Sequence, residues 1–177
     1  MLRLAIIFAV IFLAVMLQVS FFPNILMPKI FPDVALITII FWAARSGFEK
    51  AWPWAIIAGL MLDFAYFWPV GTNVFSFALV AYGASHLSRR FLVADNFSRF
   101  FTMAAILVLV VAIHNFLAPA IVEIARHDRI SLGALILNAD FVFKIIYDLV
   151  IFALAYVPLA RLEKFTASLD SRPKSLG

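Results

Sequence analysis

Long apolar runs recur along almost the whole of this chain, each closed by a short polar connection, and that repetition leaves few folds open to it. Of its 177 residues 66% are hydrophobic and only 14% charged, with a mean hydropathy of +1.06, whereas charged residues make up about a quarter of an ordinary soluble domain. Twenty Phe and four Trp give more apolar surface than a small water-exposed fold can hide. The pattern predicts an all-α polytopic membrane protein with six transmembrane helices in one bundle. No cysteine is present, which excludes disulfides, thiolate metal sites and lipidation at Cys.

The predicted spans are 4–21, 32–44, 51–68, 72–87, 100–118 and 135–160. The first follows a single arginine and has no small-x-small cleavage site after its apolar core, so it reads as a retained helix. Pro23, Pro28 and Pro32 make the next connection irregular. The second span opens at Pro32-Asp33, with the acid at the positive end of the helix dipole, and is short unless its neighbours shield it. In the third, Pro53 falls near the first turn, Trp52, Trp54 and Trp68 suit the two interfaces, and Ala51, Ala55 and Gly59 form a smooth stripe for close packing. The domain is expected to occupy residues 1–163, followed by a polar tail over 164–177 that frays.

Basic residues set the orientation. Arg3, Arg45, Lys50, Arg89, Arg90, Arg99, Arg161, Lys164, Arg172 and Lys174 fall on one side, Lys29, Arg126 and Arg129 on the other, and Lys144 lies within the last span. The bias puts both termini in the cytoplasm, and the net charge of +4 suits contact with an anionic leaflet of the bilayer. No basic cluster comes with a soluble module, so nucleic acid is not an expected partner.

Charge inside the spans is the chief anomaly, because a carboxylate at membrane depth costs about 3 kcal/mol even on the lenient insertion scale. Asp63 sits within the apolar stretch 51–73, about 9 Å below its outer end. Asp140, Lys144 and Asp148 follow at i, i+4 and i+8 on one face of the last span, the first two about 9 and 15 Å below the same surface. One reading pairs Lys144 with Asp63 across the bundle; the other keeps an Asp140–Lys144 pair within the helix, with Asp63 capped by hydroxyls or backbone amides. A proton relay through the same carboxylates is a third possibility. His86, His114 and His127 lie on different segments without ligand spacing. No phosphate loop, nucleophile elbow or HExxH occurs, so no catalytic, cofactor or metal residues are assigned. A lipid-processing enzyme would have to use Glu123, His127 and Asp128.

Taken together, Leu17-Gln18, then Phe31-Pro32-Asp33 before an apolar run, then Gly59-Leu60-Met61-Leu62-Asp63 with Gly71 eight residues on, resemble the bacterial rod shape-determining protein family MreD. The GLxxD and its downstream glycine are the most specific part, and length, span number and the Pro158 to Leu162 start of a basic tail fit as well. The resemblance implies a fold similar to the substrate-binding component of energy-coupling-factor transporters. It also implies a non-enzymatic scaffold of the cell-elongation machinery (the elongasome) that binds MreC, reaches the RodA and class B penicillin-binding protein synthase through it, and meets MreB indirectly. The competing expectation is a small-molecule-binding transporter component with an outward cavity near the ends of the first, third and last spans, for which Ala5 and Ala9 would supply a docking stripe.

Overall fold

A computed structural model describes residues 2–25, 31–91, 96–125 and 139–170, and every element among them is helical. Helix α1 covers Leu2–Ile25, with a π-helical stretch at Leu17–Phe21. It is followed by α2 (Val34–Ser46), α3 (Phe48–Ala65), α4 (Thr72–Phe91), α5 (Asn96–Ala125) and α6 (Ala139–Asp170). Three stretches, Leu2–Ile25, Phe100–Ile124 and Asp140–Ser168, are long and apolar enough to cross a membrane. These make the chain a transmembrane protein.

The short second span is the centre of the bundle. Every residue from Val34 to Ala44 is buried, because α1, α3, α4, α5 and α6 all pack on it. At 1.5 Å per residue its thirteen residues reach only about 20 Å, short of the roughly 30 Å hydrocarbon layer, so the flanking helices supply the shielding that its sequence demands. A helix buried on all sides is apolar all round, and between Val34 and Ala44 the only polar side chain, Thr38, bonds back to the Val34 carbonyl.

Helices α3 and α4 make the closest pair. Ala51, Ala55, Ala58 and Gly59 of α3 are buried, and α4 meets α3 through Asn73, which bonds Asp63, and Ser85, which bonds the Phe48 amide. A Cβ on Gly59 would lie 2.6 Å from the backbone of Val74, so only glycine permits this crossing.

Some boundaries differ from expectation. Phe48 to Lys50 are already helical, which puts Pro53 in the second turn of α3 rather than the first. Of the tail over 164–177, expected to fray, the part up to Asp170 is helical. Lys29, Arg126, His127, Asp128, Arg129, Arg172 and Lys174 lie outside the described residues.

Candidate functional site

The N-termini of α2, α3 and α4 present the first constraint on any site. The opening N–H groups of a helix have no partner within it, and inside a membrane no water serves them, so each unsatisfied group costs several kcal/mol. In each of the three at least one of these amides is met by a side chain from another helix.

At α2, the amide of Asp33 donates to Asp148 Oδ1 of α6 at 2.7 Å, and the amide of Ala35 donates to Gln18 Oε1 of α1 at 3.0 Å. Gln18 reaches that position from the π-helical turn, where the widened backbone moves it off the α-helical register. Its amide nitrogen also donates to Asp33 Oδ1 at 3.0 Å. At α3, the amide of Phe48 donates to Ser85 Oγ of α4 at 3.0 Å.

At α4, the acceptor is Asp63. Its Oδ2 accepts the Gly71 amide at 2.8 Å, and its Oδ1 accepts the Asn73 amide at 2.8 Å and the Asn73 side chain at 2.9 Å. The motif now has a physical reading. Gly59 lets the start of α4 come close, Asp63 one turn later on the same face caps it, and Gly71, at φ +105, makes the left-handed turn that brings the amides round.

The cross-helix pairing of Asp63 with Lys144 is therefore incorrect. Asp63 is fully buried and satisfied by α4, as the backbone-amide alternative required, while α6 packs on α1, α2 and α5. Lys144 instead donates to Asp33 Oδ2 at 2.6 Å and to the carbonyl of Phe31 at 3.3 Å. The intrahelical alternative also fails for Lys144: Asp140 is exposed, and the lysine turns to the buried acid of α2. Asp33 was read as a dipole partner only; it makes no cap with its own side chain and is the hub of the cluster. Pro32 is buried beside it.

His114, one of three histidines without ligand spacing, belongs to this cluster. Its Nδ1 lies 2.6 Å from Ser76 Oγ and its Nε2 lies 4.0 Å from Asp33 Oδ2, with the ring edge-on to Phe77. Its one legible sign was a polar His114-Asn115 step near the end of an otherwise apolar span. Among the described residues no group of three or more His, Asp or Glu is placed to hold a metal ion.

Beside the cluster is a cavity of about 300 Å³ whose lining mixes the polar Gln18, Asp33, Asn73, His114, Asn115 and Lys144 with the aromatic Phe31, Tyr66 and Trp68. Asp63 does not line it. At the far end of α2, Arg45 makes an ion pair with Glu163 of α6, a second tie between these helices that spacing did not reveal.

The model of the rod shape-determining protein MreD matches residues 1–164. The chain belongs to the MreD family. Searches of curated proteins and of solved structures gave no match. Membership in MreD implies a role in rod shape determination, and the buried Asp63, Asp33 and Gln18 are the motif residues whose contacts the structure now supplies.

Proposed function

We propose that this MreD chain is a non-enzymatic, multi-pass scaffold of the bacterial cell-elongation complex, lying in the plasma membrane with both termini in the cytoplasm. In this reading it binds MreC, and through MreC helps couple MreB on the cytoplasmic side to peptidoglycan synthesis by RodA and a class B penicillin-binding protein. The observation that carries the proposal is the family match over residues 1–164. The trans-capped core supports it, because helices that satisfy one another's termini hold a fixed outer surface for a partner helix to pack on. The orientation rests on the excess of basic residues at one end: Arg3, Arg45 and Lys50 converge there, at the opposite end of α2 from Asp33. Co-expression with an MreC homologue from the same genome tests the reading. Retention of that homologue on the detergent-purified chain is the expected result, and its loss under conditions where both proteins stay folded would refute it.

One observation favours a second reading. The cavity of about 300 Å³ beside Asp33 has the size and mixed lining of a small-ligand pocket, as a component resembling energy-coupling-factor binding subunits would need. Ala5 and Ala9 are exposed on α1 and would form its docking stripe. Thermal-shift measurements against a vitamin panel separate the two: clear stabilisation by one compound favours transport.

A further inference from the structure

Asn115 lines the cavity beside Asp33 and leaves two polar groups to be met. Its side-chain nitrogen is buried and has no hydrogen-bond partner among the described residues. The same stretch of α5 opens a second group. Pro119 lies inside the helix and has no N–H to give the carbonyl of Asn115, four residues before it. Pro119 and Ala118 line the cavity as well, so a donor and an acceptor of one residue stand together at its wall. Buried polar groups are nearly always paired, and these two call for a partner from outside the chain.

The charged groups of the lining are already engaged. Asp33 accepts from Gln18 with one oxygen and from Lys144 with the other, and Lys144 also donates to the Phe31 carbonyl. Acid and ammonium neutralise each other, so the pair has no net charge with which to recruit an ion. Much of the remaining lining is aromatic. The Tyr66 ring lies 6.4 Å from that of Phe31 and 5.8 Å from that of Trp68, tilted by 36° and 42°. Three rings in series offer an apolar surface on which a flat ring stacks. Water alone would satisfy Asn115 and gain nothing from them.

We propose that this cavity binds an uncharged, flat nitrogen heterocycle whose edge carries a hydrogen-bond donor beside an acceptor, as a nucleobase does. The acceptor of that edge takes the Asn115 side-chain N–H, its donor goes to the carbonyl that Pro119 leaves open, and the ring lies against Tyr66 and Trp68. Asparagine reads such an edge in adenine by the same complementarity. A volume of about 300 Å³ is at the small end of ligand pockets, which suits a bare ring system and not a large conjugate. The inference rests on the second reading above, that the cavity is a ligand pocket, and adds the chemistry of what enters it.

The test follows thermal unfolding of the full-length protein in neutral detergent, titrated with adenine, hypoxanthine or uracil and, as controls, with benzoate, benzylamine or pyridine. At least one of the first three should raise the midpoint saturably. The controls, which are charged or lack the donor, should not. Asn115→Leu should weaken half-saturation by about tenfold or more, the loss expected when hydrogen bonds in an enclosed site go unmade. Asn24→Leu, the same change at an exposed position of α1, should leave it unaltered. Undiminished binding by the Asn115→Leu protein, or pyridine acting as well as the heterocycles, would overturn the proposal. Stabilisation by a charged control alone would overturn it and leave a ligand pocket in place. Silence from all three heterocycles would overturn it too, and the reading beneath it falls only if the vitamin panel is silent as well. If Asn115→Leu does not fold, the unaltered protein decides: quenching of tryptophan emission by the stabilising heterocycle that is lost in Trp68→Phe supports the site, and quenching that Trp68→Phe leaves intact rejects it.

Discussion

The pairing of Lys144 with Asp33 rather than Asp63 can be measured as a coupling energy. Lys144 donates to Asp33 Oδ2 at 2.6 Å, and both side chains are largely enclosed, at 19% and 10% exposure. Removing one member of such a pair strands the other charge, so Lys144→Met and Asp33→Asn should each cost about 3–5 kcal/mol. The double variant loses both charges at once and should cost less than the sum. A coupling of about 1.5–3 kcal/mol is expected for a hydrogen bond to a charged group, well above the roughly 0.6 kcal/mol average for interhelical hydrogen bonds in a membrane. Asp63 shares no hydrogen-bond partner with Lys144, so the cycle of Asp63→Asn with Lys144→Met should be additive within about 0.5 kcal/mol. Denaturation of the purified chain in mixed micelles, followed by tryptophan fluorescence, gives both cycles from midpoint shifts at constant slope. Strong coupling to Asp63 with none to Asp33 would refute the assignment.

Further changes probe the remaining contacts by the same assay. Gly59→Ala sets a Cβ 2.6 Å from the Val74 backbone and should cost about 1–3 kcal/mol as the helices are forced apart; an unchanged midpoint would mean the crossing is looser than described. Gly71→Ala meets no neighbouring atom, so its cost should be only the strain of φ +105, about 1–3 kcal/mol, and Gly71→Asn should recover part of it. Asp63→Leu deprives three donors of their acceptor and should be more damaging than Asp63→Asn, which keeps one acceptor oxygen; equal effects would argue against a capping role. Arg45→Met should also destabilise, because the Arg45 and Glu163 side chains are about as enclosed as the Lys144–Asp33 pair, at 14% and 18% exposure, and the change strands Glu163; an unchanged midpoint would mean that this pair contributes nothing.

Features that depend on spacing within one helix were legible in the sequence, and features that depend on which helices meet were not. Gly59 and Asp63 are four apart, so their shared face and close-packing role could be read directly, and the Ala51, Ala55, Gly59 stripe is buried as its period required. The partner of Lys144 could not be read that way. Counting residues placed Asp63 and Lys144 at similar depth, but depth does not say which helices are neighbours, and α2 lies at the centre of the bundle. Asp33 was hidden by its position, since an acid after proline at a helix start is already explained by the dipole. His114 was hidden because its partners, Ser76 and Asp33, come from two other segments.

The three trans caps bear on why charge is kept in this core at all. Replacing a buried ion pair by apolar residues is often neutral or stabilising, so stability alone is a weak reason for Asp33, Lys144 and Asp148 to share a site. Their contacts are specific in another respect. Asp148 accepts from the backbone of Asp33 and Lys144 donates to its side chain, so sliding α6 by one turn along α2 would leave an amide, an ammonium and two carboxylates unpaired in hydrocarbon. An apolar interface between the same helices tolerates such a slide, because lipid tails and leucines are equivalent neighbours and little penalises the wrong register. The polar cluster thus fixes the axial position of α6, whose apolar outer face is the least covered of the three long helices. A partner span laid against that face would meet the same pattern of side chains in every copy of the molecule.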